Sequence, residues 1–316
     1  MSDSVATVRE AAAPLTPPPA PAWRNVATGV AAALVTVAIW AAWPTITRYG
    51  VTGGAMDPMT IAVLRFLPPA LILAPFWLRV GLMPKMSPLA ALGLFCGGLP
   101  FFLGAAIGFK FASVTNSIAV ASGVIPLAVA LIARFAFGTL IGRVRAVGLG
   151  LIVAAMTIAI VYALSSSGEP YLWLGQLLFA SSNFGFALYT LAFPYSRLSA
   201  LEATGVVAVW SLVLSLPFGA AGVVHAVTQG MYGQIALQVV QQGLLSGLTA
   251  FLAYNFAISR LGPVPAATIV AVTPALSTTV AWLALGEVPS PVMLFAVGLI
   301  TLGVMVASMA GRVRSA

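Results

Sequence analysis

Apolar residues fall into ten runs punctuated by polar residues, glycine or proline, at about 26–46, 58–78, 88–108, 115–137, 146–164, 171–193, 203–223, 238–258, 263–285 and 291–310. Each is close to the roughly 20 residues that carry a helix across a hydrocarbon core. The pattern predicts an all-α integral membrane fold of ten transmembrane helices joined by short loops. No stretch remains for a sizeable soluble domain.

Composition sharpens this picture. Of 316 residues, 61% are hydrophobic and 6% charged, about a quarter of the charged share of a soluble domain. A net charge of +8 does not indicate nucleic acid, because the basic residues stand singly among apolar runs and form no basic face with interleaved aromatics. Their distribution sets an orientation instead. With both termini in the cytoplasm, the inner tails and loops hold Arg9, Arg24, Arg79, Lys85, Arg143, Arg145, Arg197, Arg260, Arg312 and Arg314, and the outer loops only Arg48 and Lys110. The positive-inside rule selects that arrangement. Residues 1–22, with the stretch AAAPLTPPPAPA and no basic leader region, are expected to form a disordered cytoplasmic tail. Cys96 is the single cysteine, so no disulfide framework, metal set or cofactor site is expected.

The chain also repeats itself. At an offset of 150, Gly97, Phe101, Lys110 and Val114 fall on Gly247, Phe251, Arg260 and Val264; at 148, Pro126, Gly138 and Gly150-Leu151-Ile152 fall on Pro274, Gly286 and Gly298-Leu299-Ile300. The two copies are assigned to residues 23–164 and 165–316, five apolar runs each. An odd number of spans turns the second copy upside down relative to the first. The loop after the fourth run carries Arg143 and Arg145, whereas its counterpart GEVPSP after the ninth carries no Lys or Arg. Inverted repeats around a midplane site are a recurrent construction of secondary transporters.

The segment PVPAATIVAVTPALSTTVAWLALGEVPSP at 263–291, with Pro274 mid-run and Gly286-Glu287 after it, resembles the EamA-type branch of the drug/metabolite transporter superfamily. Trp40, Pro58, Arg65 and Pro126 carry the resemblance in the first copy, which departs from the pattern at Gly138-Thr139, where Gly-Glu is common. Within that branch the chain most resembles bacterial exporters of aromatic and other neutral amino acids. The resemblance implies an inner-membrane exporter of a small-molecule amino-acid substrate, with ten helices around a central cavity.

An amino-acid site needs a group for the carboxylate, one for the ammonium and a tolerant wall, a task that aromatic faces perform well. Trp40 and Trp43 share a face of the first run with Thr36; Asn183 and Phe186 share one in the sixth, with Tyr189 close by; Phe251 and Tyr254 share one in the eighth, with Asn255 at its edge. These residues, with Phe101, Asn116 and Arg65, are the cavity candidates. Asn116, Asn183 and Asn255 are included because an amide in lipid requires a partner or an aqueous space. Arg65, well inside the second run, has two open readings: a holder of substrate carboxylate or outer gate, and a structural group bonding helix-end carbonyls. Arg134, one turn from a cytoplasmic end, reads as snorkelling, and His225 as a solvated outer-loop residue. Gly104 with Gly108, and Gly138 with Gly142, form GxxxG pairs suited to close helix approach. Pro126 and Pro274 stand at equivalent places as hinge candidates.

No Asp or Glu lies deep in a run: Asp57, Glu169, Glu202 and Glu287 fall at ends or in loops. Proton-coupled carriers use intramembrane carboxylates or histidine, so facilitated movement down the substrate's own gradient is expected. Efflux of cationic or aromatic drugs is the rival within transport. A receptor or scaffold would gain nothing mechanical from inverted duplication, and the motifs of common hydrolases and metalloenzymes are missing.

Overall fold

The computed structural model describes residues 23–53, 56–138, 140–166 and 168–309, so the tail assigned to 1–22, the terminal Arg312 and Arg314, and Thr139 lie outside the described residues. The described residues are helical, with no strand among them. The first repeat contains α1 (Trp23–Thr52), α2 (Pro58–Ile72), α3 (Ala74–Val80), α4 (Pro88–Cys96), α5 (Leu99–Gly108), α6 (Val114–Phe137) and α7 (Arg143–Ser166). The second contains α8 (Leu172–Ala192), α9 (Ala200–Thr228), α10 (Tyr232–Gln238), a π-helical stretch Val239–Ala250, α11 (Phe251–Leu261), α12 (Pro263–Val270), α13 (Thr273–Leu285) and α14 (Pro291–Met309).

Among the described residues, eight segments are long and apolar enough to cross a membrane, or nine if the α2–α3 pair, bent by 77°, is one span; Pro291–Ala307 is shorter. The outer surface is apolar in the way lipid requires, with Leu89, Phe135, Phe218, Leu283 and Phe295 all more than half exposed. A soluble monomer rarely leaves so much apolar surface bare.

Breaks follow the imino acids and glycines. Pro68 and Pro69 lie inside α2 and Pro75 in the first turn of α3, so donors are missing on both sides of the Leu73 bend. Gly97-Gly98 separates α4 from α5, and the Leu99 N–H freed by that break donates to Ser211 Oγ at 3.0 Å. The predicted hinge pair divides in behaviour. Pro126 sits inside the unbroken α6, whereas Pro274 sits in the first turn of α13, just after a break at Ala271-Val272. The repeat is visible at the ends of these helices, which Gly138 and Gly286 close in the left-handed region at φ 64° and 69°.

Helix packing is balanced between the halves. α1 lies on α11 and on α13; correspondingly, α8 lies on α4–α5 and on α6, while α2 packs on α9 and α7 on α14. Exchanging the halves maps this pattern onto itself. Gly104 and Gly108 let α5 lie on α8, where added Cβ atoms would come within 2.9 Å of Ser182 Cβ and Phe179 Cε2. Gly138 and Gly142, by contrast, face open space, so that pair mediates no helix contact; Gly138 serves as a helix cap instead. His225 is likewise corrected, from an outer loop to the last turn of α9.

At the α7–α14 crossing, a Cβ on Gly148 would lie 2.5 Å from Gly303 O and one on Gly303 2.8 Å from Gly148 O. Backbone cannot step aside as a side chain does, so Gly303→Val is expected to lower the thermal midpoint in detergent by more than 10 °C or prevent recovery of folded protein. Gly150→Ala and Gly298→Ala, which meet nothing within 4 Å, should hold or raise that midpoint, since alanine favours the helix by about 0.5–1 kcal/mol.

Candidate functional site

Helices α1, α2, α5, α6, α8, α11, α12 and α13 enclose one cavity, and none of the described residues of α7 and α14 lines it. Its wall is an aromatic belt built from four helices. The Trp40 ring stands 5.5 Å edge-on to Phe186 and 5.4 Å from Tyr254, Phe186 lies 5.0 Å from Phe101, and Phe101 stacks on Trp43 at 5.5 Å. Helical spacing aims Trp40 and Trp43 inward from α1, and Trp40 is fixed by donation from Nε1 to the Ser246 carbonyl at 3.3 Å.

Arg65 reaches the cavity from α2 and is 3% exposed. It donates from Nη1 to Gln242 Oε1 at 3.0 Å, and Gln242 Nε2 donates to Thr47 Oγ1 at 2.8 Å. The π-helical stretch carries Gln242 to this position; its Gly247 passes so close that a Cβ there would lie 3.2 Å from Arg65 O. The guanidinium also sits 5.4 Å from the Phe102 ring centre and 5.7 Å from that of Trp43. Among the described residues no carboxylate lines the cavity. Four buried polar atoms on its lining residues lack hydrogen-bond partners: Trp43 Nε1, Arg65 Nε, Thr273 Oγ1 and Ser277 Oγ.

Of the sequence candidates, Trp40, Trp43, Arg65, Phe101, Asn183, Phe186 and Tyr254 border this space, as does Pro274. Asn183 is held by donation to Phe179 O at 2.8 Å. Tyr189 and Asn255 are buried behind the belt, bonded to each other, with Asn255 Nδ2 donating to Thr204 Oγ1 at 2.9 Å. Phe251 borders a small second pocket shared with Arg65, and Pro126 another near Arg145. Asn116 lies apart, in the first turn of α6, donating to Glu169 Oε2 at 2.8 Å. Thr273 and Ser277, one turn apart on α13, and Gln242 are not among the sequence candidates; small hydroxyls in an apolar run are as common at helix contacts as at a cavity wall.

A second polar cluster closes one end of the bundle two turns beyond Trp40, roughly 12 Å along α1. Arg48 Nε pairs with Glu287 Oε1 at 2.7 Å, and Arg48 Nη1 donates to the carbonyls of Phe109 and Ala112 at 2.8 and 2.6 Å. Glu287 Oε2 accepts the Thr115 N–H at 3.2 Å and Glu169 Oε1 the Ser113 N–H at 2.8 Å. Carboxylates thus meet the donor end of α6, and a cation meets the acceptor end of α5. Arg48 belongs to α1, which runs to Thr52, rather than to a loop.

The sequence profile of the EamA-like transporter family matches residues 27–161 and again 173–309. A crystal structure of a protein 20% identical in sequence superposes with a TM-score of 0.57, covering 89% of this chain and 99% of that one; at that identity the likeness concerns the fold alone. Comparison with curated proteins gives no match.

Proposed function

The chain belongs to the EamA-like transporter family, and from that premise we propose that it exports amino acids, aromatic and other neutral ones, across the bacterial inner membrane. The eight span-length segments, the bent α2–α3 pair and α14 make ten crossings in this reading, with both termini cytoplasmic on the positive-inside rule. Residues 23–164 and 165–316 are then two inverted five-span units. The contact pattern that survives exchange of the halves supports alternating access, in which the two units swap conformations around the shared cavity.

One observation carries the substrate assignment: a cavity walled by Trp40, Trp43, Phe101 and Phe186, bordered by a broken helix, with a buried arginine as the only charged lining residue among those described. Ring faces accommodate varied side chains, and the arginine supplies a partner for the carboxylate common to all amino acids. A cationic drug would meet Arg65 without a compensating carboxylate, which disfavours the rival efflux reading. Among the described residues the lining holds no Asp, Glu or His, which supports facilitated movement without proton coupling.

The test is flux of labelled Phe, Trp, Thr, Met, Lys and Glu into proteoliposomes with no imposed ion gradient. Saturable uptake is expected for Phe, Trp, Thr and Met. Trp40→Ala should reduce phenylalanine uptake roughly tenfold through loss of aromatic contact. Accumulation driven by a proton gradient would overturn the facilitator reading, and cation uptake in place of amino-acid uptake would overturn the substrate assignment.

A further inference from the structure

The unpartnered atoms on the cavity lining share one chemical character. Trp43 Nε1 and Arg65 Nε are N–H groups that only donate, and the Thr273 and Ser277 hydroxyls can both donate. Ser277 is 1% exposed and Arg65 3%, so these are desolvated donors rather than surface groups, and a buried donor left unpaired is destabilising. Thr273 and Ser277 stand one turn apart at the start of α13, a 13-residue helix whose N-terminal end carries partial positive charge. The cavity therefore offers donors, a full positive charge and a helix N-terminus, and no negative group among its described lining residues.

We propose that this cavity is a carboxylate site that makes no demand for an α-ammonium, so that aromatic monocarboxylates lacking the amine are substrates in their own right. The inference rests on the reading of the cavity as the substrate site and goes further in chemical class. The carboxylate accepts from Arg65, Ser277 and Thr273, while the ring lies against Trp40, Phe101 and Phe186. In an α-amino acid the ammonium sits within a few ångströms of the carboxylate, so it is held near the Arg65 cation with no acidic partner. Removing it relieves a like-charge contact and costs no ion pair.

Binding of phenylalanine, 3-phenylpropionate and 2-phenylethylamine to the purified full chain in detergent, measured by calorimetry beside phenylalanine flux in proteoliposomes, tests this. The expected order places 3-phenylpropionate at least level with phenylalanine, and 2-phenylethylamine at least tenfold weaker. Ser277→Ala and Thr273→Val should each weaken 3-phenylpropionate roughly tenfold while leaving the melting temperature unchanged or higher, because each removes a hydroxyl that has no partner in the protein. Binding of the amine as tight as that of the acid, or acid affinity unmoved in both variants, would overturn the proposal. Phenylalanine flux without 3-phenylpropionate binding sinks the carboxylate site and leaves the amino-acid reading standing. Conversely, acid binding that depends on Ser277 and Thr273 without phenylalanine flux sustains the site and removes the amino-acid reading.

Discussion

Replacing Arg65 by methionine is expected to leave the protein folded while lowering phenylalanine flux by roughly ten- to a hundredfold, the range for a charge-assisted hydrogen bond. The guanidinium is buried, with no carboxylate beside it among the described residues, and it bonds Gln242 at 3.0 Å through one nitrogen. An apolar side chain of similar length avoids the desolvation of that charge, which offsets the bond lost by Gln242. Thermal unfolding in detergent should therefore stay near the parent value as flux collapses. Arg65→Lys keeps the charge but loses the fork and the Nε donor, so its flux should fall between the two. Parent-level flux in the methionine variant would assign Arg65 to the structural role that the sequence left open.

The second large effect is expected at Arg48 and Glu287. Their side chains are 23% and 15% exposed, so the pair is shielded enough for its loss to matter by about 1–3 kcal/mol, more than an exposed pair yields. Glu287→Gln also weakens the acceptor for the Thr115 N–H. In the proposed orientation this cluster joins α1, the α5–α6 turn and the segment after α13 at the outer face, so a shift of that size opens the outer mouth about five- to a hundredfold more often. In a Cys96→Ala background, a cysteine at Ser277 should react that much faster with a membrane-impermeant maleimide added from outside when Glu287 is Gln. The exchange Arg48→Glu with Glu287→Arg should restore part of the protection. An unchanged labelling rate would separate the ion pair from any gating.

Hydrophobic periodicity made much of this legible. All ten apolar runs fall on helices, and Trp40, Trp43, Phe101, Asn183, Phe186 and Tyr254 reach one space because helical spacing fixes which side chains share a face. Distance along the chain hid other features. Arg48 and Glu287 meet across most of the sequence, and the first apolar run ends at about residue 46, two residues before Arg48, which is why Arg48 reads as a loop residue. Asn116 stands at the start of its run, and Ser113 caps α6 there; its bond to Glu169 joins two distant segments, a pairing that helical spacing does not show. Phe251, Tyr189 and Asn255 lie on the faces anticipated for them, but those faces are wide, and the three side chains are taken up by bonds and packing behind the belt. The π-helical stretch left no periodic signature, although the polar Gln241-Gln242 pair marks its position.

The α7–α14 crossing limits how this sequence can change over generations. Gly148 and Gly303 each face the other's carbonyl, so any side chain acquired at one position meets main chain instead of a neighbour that a second substitution could trim. Most pairs of touching residues can drift by compensation, one growing as the other shrinks. Here no partner is left to shrink, and two sites distant in the gene are held to the same residue by a constraint that neither can escape first.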